Sequence, residues 1–89
     1  PEFRGAHLAL GAIAARRGDF KKACREFESE LERDPASAQA HINLAMCYEQ
    51  RLKDLDKAAY HLRRYIEIAG GTQELKQHLK ELEARLRNE

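Results

Sequence analysis

The amino-acid sequence predicts an all-α domain built from two helix–turn–helix units and one further helix. Apolar residues recur at intervals of three and four along five segments, the spacing that aligns side chains on one face of an α-helix. The pattern of the first two segments returns 34 or 35 residues later in the chain. No segment alternates apolar and polar residues over a useful length, so we expect no strands.

Composition and charge limit the classes of function open to the chain. Its 89 residues leave no room for a second core, so we expect residues 1–89 to form one domain. The 16 Lys and Arg residues nearly balance 15 Asp and Glu residues, and a net charge of +1 gives no broad positive field for nucleic acid. No apolar run approaches the roughly 20 residues that cross a bilayer. We therefore expect no nucleic-acid partner and no membrane insertion.

The first three residues, Pro1-Glu2-Phe3, are similar to the remnant of a cloning linker. The natural sequence is therefore expected to begin near Arg4, as part of a longer scaffold or assembly factor. No signal peptide is visible, and the sequence leaves the cellular compartment open.

Turn and capping residues delimit the first two helices. The first helix is expected over residues 3–17, and Gly18 follows it as a residue that readily adopts the left-handed conformation at a helix end. Asp19 is the expected N-cap of the second helix, residues 20–33. Asp34-Pro35 ends that helix, because the residue before a proline avoids the helical region. The inward face of the second helix comprises Phe20, Ala23, Cys24, Phe27 and Leu31.

The other three helices are delimited in the same way. Ser37 is the expected N-cap of the third helix, which continues to about residue 51 or 52. After a turn at Lys53-Asp54, a fourth helix is expected over residues 55–69 and ends at Gly70-Gly71. Thr72 is the expected cap of a fifth helix that runs to about residue 88. The inward face of the fourth helix comprises Leu55, Ala58, Ala59, Leu62, Tyr65 and Ile66.

The first and second pairs of helices are copies of one unit. Residues 6–11 match residues 40–45 at an offset of 34, whereas the segments beginning at Asp19 and Asp54 match at an offset of 35. One extra residue is therefore expected in the second turn, where an insertion costs little. A single unit cannot bury its own apolar face, so the two copies must stack.

The repeated residues resemble the tetratricopeptide repeat, whose pattern is W-x2-L-G-x2-Y, then A-x3-F, then P. The first copy presents this pattern at His7, Leu10, Gly11, Ala14, Ala23, Phe27 and Pro35. The second copy presents it at His41, Leu44, Ala45, Tyr48, Ala58, Leu62 and, in place of the proline, Gly70. Small residues at positions 11 and 45 are expected to let Ala23 and Ala58 of the partner helices approach. His replaces both Trp residues and Ala14 replaces the first Tyr, which predicts looser packing at those positions.

The resemblance implies a right-handed α–α superhelix with repeat 1 at residues 4–37, repeat 2 at 38–71 and a capping helix at 72–89. It also implies a concave groove, lined by the first helix of each repeat, that binds an extended or helical segment of a protein partner. Met46 would give this mostly apolar surface an adaptable contact. Carried over to this sequence, the groove residues are Leu8, Ala9, Ala12, Ala15, Arg16, Gln39, Ile42, Asn43, Met46, Glu49 and Gln50.

Two other interaction modes compete with the groove. The family subgroup that clamps the C-terminal carboxylate of chaperones is not expected, because Leu8 and Ala12 stand where its Lys and one Asn would be, and only Asn43 matches. Self-association is the alternative that stays open, through the fifth helix or the face of the first repeat. The fifth helix carries leucines at coiled-coil spacing, although a capping helix must be apolar on one side anyway. These leucines are Leu75, Leu79, Leu82 and Leu86.

The sequence predicts no enzymatic activity, no cofactor and no metal site. Its histidines are scattered over four predicted helices and are interpreted as surface or half-buried structural residues: His7, His41, His61 and His78. No pair on one helix face has the spacing of metal ligands such as H-E-x-x-H, and no glycine-rich phosphate loop is present. Cys24 and Cys47 are interpreted as reduced core residues, since a disulfide between them requires their helices to pack side by side.

Overall fold

The computed structural model describes residues 5–88, which form five helices and no strand. The all-α prediction is therefore confirmed, while the predicted helix start near residue 3 lies outside the described residues. The elements are α1 (Ala6–Arg16), α2 (Phe20–Arg33), α3 (Ala38–Cys47), α4 (Leu55–Ala69) and α5 (Gln73–Arg87), with a π-helical turn over Tyr48–Leu52 that continues α3.

Side-chain caps begin four of the five helices. An oxygen of each capping side chain accepts a hydrogen bond from the backbone N–H three residues later, at 3.1 to 3.3 Å. Such a bond satisfies one of the donors that a helix start leaves free. The caps are Asp19, Ser37, Asp54 and Thr72. The helix starts predicted at the first, second and fourth of these residues are confirmed.

The turn between the two helices of each repeat ends in the same way in both copies, although its closing hydrogen bond spans five residues in the first copy and six in the second. The N–H of Asp19 bonds to the carbonyl of Ala14, and the N–H of Asp54 bonds to the carbonyl of Tyr48, both at 2.9 Å. The residue before each aspartate has a positive φ, 82° at Gly18 and 57° at Lys53. The extra residue of the second copy therefore does not lie in the turn, where the sequence placed it. It widens the preceding helical turn into a π-turn.

The packing order follows the chain: α1 lies on α2, α2 on α3, α3 on α4 and α4 on α5. A cluster at the junction of the two repeats, here called the inter-repeat core, comprises Ala14, Ala23, Cys24, Phe27, Leu44, Cys47, Tyr48 and Ala58. A second cluster, the cap core, comprises Ala45, Ala59, Leu62 and Leu82, with Leu75, Leu79 and Leu86 packed against it. The leucines of α5 thus cover the apolar face of the second helix pair, as expected of a capping helix.

Gly11 is the point at which α1 comes closest to a side chain of α2. A Cβ added to Gly11 would lie 2.7 Å from Cδ1 and 2.9 Å from Cζ of Phe27. The Phe27 ring therefore occupies the space of the missing side chain, a contact that the expected approach of Ala23 did not include. In the second repeat the equivalent positions are Ala45 and Leu62, which belong to one cluster. The large Phe27 ring is therefore paired with glycine in the first repeat, and the smaller Leu62 side chain is paired with alanine in the second.

We predict that Gly11→Ala destabilises the protein by about 1 kcal/mol. Overpacking against the buried ring of Phe27 costs about 1–3 kcal/mol, and the better helix propensity of Ala returns about 1 kcal/mol. Combined with Phe27→Leu, the same change should cost less, because the pair then matches Ala45 and Leu62. Urea denaturation of the wild type, both single variants and the double variant gives the coupling energy. Additive effects would show that Gly11 and Phe27 do not share this space.

Candidate functional site

An open groove of about 340 Å³ lies where the first helices of the two repeats face each other over α2. Its volume is at the lower end of the range of about 300–1,000 Å³ for small-ligand pockets, so it suits one or two side chains of a partner. The lining residues are Ala12 and Ala15 from α1, Phe20 and Phe27 from α2, Asn43, Met46 and Cys47 from α3, and Gln50 and Arg51 from the π-turn.

The groove combines an apolar floor with a polar edge of positive charge. Phe27 is buried and Phe20 is partly buried, whereas Met46 leaves 51% of its surface exposed. At the edge, the guanidinium carbon of Arg51 lies 4.8 Å from the centre of the Phe20 ring, within the range of a cation–π contact. The lining contains no carboxylate, so the surface favours an apolar group next to a negative charge.

Five of the groove residues predicted from the sequence line this groove together: Ala12, Ala15, Asn43, Met46 and Gln50. Ala9 and Arg16 are exposed on α1 outside the lining. Gln39 is also outside it, and its Nε2 donates a hydrogen bond of 2.9 Å to Oδ1 of Asn43. Gln39 therefore holds the amide of a lining residue in place.

The other three predicted residues contact the body of the protein. Leu8 packs against the inter-repeat core, and Ile42 packs against the cap core. Glu49 accepts a hydrogen bond of 2.7 Å from Nε2 of His78 on α5. These side chains connect α1 and α3 to the neighbouring helices and do not line the groove.

Four lining residues were not among the predicted groove residues: Phe20, Phe27, Cys47 and Arg51. The apolar three lie on inward faces, and helical periodicity alone assigns such residues to the core. The signal for the two phenylalanines is the pair of small residues on α1, because Ala12 and Ala15 leave space in front of α2. A search for small residues opposite aromatic ones would have indicated the floor.

Apart from the groove, a pair of buried polar side chains lies between the two helices of the second repeat. His41 and His61 are buried, with 3% and 5% of their surfaces exposed, and their Nδ1 atoms are 3.0 Å apart. The interpretation of these two histidines as scattered, surface or half-buried residues is therefore corrected, because the packing of α3 on α4 brings them into contact. In the first repeat the equivalent positions hold His7 and Glu26, which are 2.8 Å apart.

Hydrogen bonding fixes the tautomers of this histidine pair when both rings are neutral. Nε2 of His41 lies 3.0 Å from the carbonyl oxygen of Pro35, which can only accept, so this nitrogen carries a proton. In the neutral pair, Nδ1 of His41 then accepts a hydrogen bond from Nδ1–H of His61. Burial, followed by repulsion from His41 and Lys57, lowers the pKa of His61 to about 4.

Within residues 5–88 the side chains offer no metal site and the helices no membrane span. No three His, Cys, Asp or Glu residues of this range lie together in a way that could hold a metal ion. No helix in the described range is both long enough and apolar enough to cross a bilayer.

A family model described as the tetratricopeptide repeat matches residues 8–72. The matched range extends from α1 to the end of α4 and covers more than half of the 89 residues. The chain belongs to the tetratricopeptide repeat family. Tetratricopeptide repeats are generally non-catalytic modules of protein–protein interaction. No curated protein shows a significant sequence match to this chain.

Proposed function

We propose that this tetratricopeptide repeat chain is a non-catalytic interaction module, part of a larger scaffold or assembly factor, that binds a segment of a partner protein in its groove. The observation that carries the proposal is an open apolar groove, floored by Phe20 and Phe27, on the surface formed by the first helices of the two repeats. Exposed Met46 beside this floor adds an apolar contact that can adapt to different partner side chains.

The charge of the groove edge specifies the chemistry of the partner segment. Arg51 is the one charged residue among those that line the groove. The proposed ligand therefore places a bulky apolar side chain over the phenylalanine floor and a carboxylate next to Arg51. Burying the apolar side chain contributes about 1.5–3 kcal/mol, and the surface ion pair about 0.2–1 kcal/mol. Contacts of flanking residues must supply the remainder, so affinities in the micromolar to millimolar range are expected.

We predict that Met46→Glu weakens binding of such a segment at least tenfold. The carboxylate removes an apolar contact beside the floor and repels the acidic group of the ligand. Peptides selected on the wild-type protein from a random peptide library supply the ligand, and fluorescence anisotropy measures its dissociation constant for each variant. Tyr60→Glu is the matched control, because Tyr60 is also 51% exposed and does not line the groove.

The control result separates loss of the groove from loss of the fold. Tyr60→Glu should bind the selected peptides as the wild type does, and circular dichroism should show both variants folded. Selected peptides that bind Met46→Glu and the wild type equally well would overturn the assignment of the groove. Failure to select any peptide with an apolar residue beside an acidic one would overturn the proposed ligand chemistry.

Self-association is the second candidate function, and exposed apolar residues on α1 favour it. Leu10 and Ile13 lie three positions apart on α1 and leave 39% and 40% of their surfaces exposed. The leucines of α5, by contrast, pack against the cap core, so the face of α1 is the better surface for a second copy. Light scattering at low and high protein concentration tests this candidate. A strict monomer at both concentrations would remove it.

A further inference from the structure

The two cysteines of the chain meet at the junction of the two repeats. Cys24 on α2 and Cys47 on α3 are both free, and their Sγ atoms lie 3.0 Å apart. A disulfide has an S–S distance of about 2.05 Å, so the two sulfur atoms need to approach by about 1 Å. The side-by-side packing of helices that a disulfide requires is therefore present between α2 and α3.

The two thiols differ in their access to solvent. Cys47 is one of the groove-lining residues and retains 7% of its surface, whereas Cys24 lies behind it with 4% exposed and does not line the groove. Burial and the hydrogen bond donated to Cys47 raise the pKa of the Cys24 thiol above its ordinary value. A small oxidant entering the groove thus meets Cys47 first and finds Cys24 protonated behind it.

We propose that Cys24 and Cys47 are a reversible oxidation site, at which a small peroxide converts the thiol pair into an intrachain disulfide joining the two repeats. The substrate class is a hydroperoxide, with hydrogen peroxide as its smallest member. Its chemistry needs no group beyond the two thiols and the oxidant. The inference is independent of the proposed binding of a partner segment.

The reaction has two steps that balance without a further reactant. In the first, the sulfur of Cys47 attacks one oxygen of hydrogen peroxide, an S–O bond forms, the O–O bond breaks, and the departing hydroxide leaves as water with the Cys47 proton. In the second, the sulfur of Cys24 attacks the Cys47 sulfur, the S–S bond forms, and the hydroxyl leaves as a second water with the Cys24 proton. Two electrons pass from the sulfurs to the peroxide.

The cross-link would join the repeats at the centre of the inter-repeat core. Both cysteines belong to that core, which links the two repeats. Oxidation would therefore fix the position of α2 relative to α3 and close a loop between residues 24 and 47. A loop of this size reduces the conformational freedom of the unfolded chain enough to raise the Tm by roughly 10 °C or more.

The test treats the folded wild-type protein with hydrogen peroxide, removes the excess, unfolds the protein and alkylates all remaining thiols. Mass spectrometry of the cysteine peptides then identifies the products. Oxidation of exposed Met46 to its sulfoxide is assigned separately, so that its added oxygen is not counted as oxidation of a cysteine. We expect that Cys24 and Cys47 escape alkylation, that their peptides are linked, and that dithiothreitol restores both thiols. The Tm of the oxidised protein should rise before reduction and return afterwards.

Single-cysteine variants test the order of the two steps. Dimedone, which traps sulfenic acid, should label Cys47 in Cys24→Ala and leave it unlabelled in the wild type, since the neighbouring thiol reacts faster. In Cys47→Ala, Cys24 should remain a thiol.

The proposal is overturned if both wild-type thiols stay open to alkylation, if Cys47 is oxidised beyond sulfenic acid while Cys24 stays free, or if the linked protein has an unchanged or lower Tm. The wild-type measurements decide the matter even where a variant does not fold.

Discussion

Replacing Leu44 by Ala is expected to lower the free energy of unfolding by about 3 kcal/mol, within the range of 2–5 kcal/mol for Leu→Ala in a core. Leu44 has no exposed surface and belongs to the inter-repeat core, where side chains of both repeats meet. Three of its neighbours in that core, Ala14, Ala23 and Ala58, are already alanines and have little side chain with which to fill a cavity. A loss of this size is a large part of the 5–15 kcal/mol that stabilises a typical domain.

Leu10→Ala is the matched control, because it removes the same atoms from a position that is 39% exposed. Its effect is expected to stay within about 0.5 kcal/mol. Urea denaturation followed by circular dichroism measures both variants, and the helical signal at low urea shows whether each still folds. Equal effects of the two substitutions would show that the repeats do not pack around Leu44.

Lowering the pH from about 6.5 to 4 is expected to remove about 3 kcal/mol of stability through His61 alone. The folded-state pKa of about 4 lies below the unfolded value of 6.5, so the unfolded chain takes up the proton first as the pH falls. The stabilisation from keeping His61 neutral is therefore complete above pH 6.5 and lost as the pH falls to about 4. A difference of about 2.5 pKa units at 1.36 kcal/mol each gives the size of the effect.

The groups around His61 explain why its charged form is disfavoured. Burial comes first, and repulsion from His41 and from Lys57 on the same helix lowers the pKa further. Glu28 on α2 offers partial compensation, since its Oε1 lies 3.9 Å from Nε2 of His61, but its side chain is 44% exposed and screened by water. Burial is the dominant cause.

Comparing the wild type with a His61 variant separates the effect of His61 on the pH dependence of stability from the effect of the carboxylates. His61→Gln should remove most of the loss between pH 6.5 and 4, because glutamine stays neutral throughout. Leu10→Gln, which introduces the same side chain at a position that is 39% exposed on α1, should keep the pH dependence of the wild type. The measurement is the free energy of unfolding in urea at several pH values. Identical pH profiles of the wild type and His61→Gln would contradict the assignment.

Local signals in the sequence were sufficient to predict the helices. Asp19, Ser37 and Thr72 each cap the helix that follows, and Asp34-Pro35 ends α2, because caps and prolines act within one turn of the chain. The internal repetition then predicted the pairing of helices, since two units of the same pattern need to bury equivalent faces. These features depend on residues close in sequence or on the repeat itself.

Features that arise from packing between helices were not predictable in the same way. His41 and His61 occupy different helices, and only the packing of α3 on α4 brings them to 3.0 Å. The sequence predicted the extra residue in the loop, whereas it lies in the π-turn at the end of α3. A change of offset by one residue does not show whether the insertion lies before or after the end of a helix. Phe27 was assigned to the core correctly, yet it also lines the groove with the 4% of its surface that stays exposed.

The most direct test of the proposed groove is an NMR chemical-shift map of the folded protein during titration with a selected peptide. We expect the largest shifts at the methyl group of Met46 and at the rings of Phe20 and Phe27, with little change at Tyr60. This result would place the peptide on the floor of the groove between the two repeats. Shifts centred on Leu10 and Ile13, or on the outer face of α5, would contradict the account.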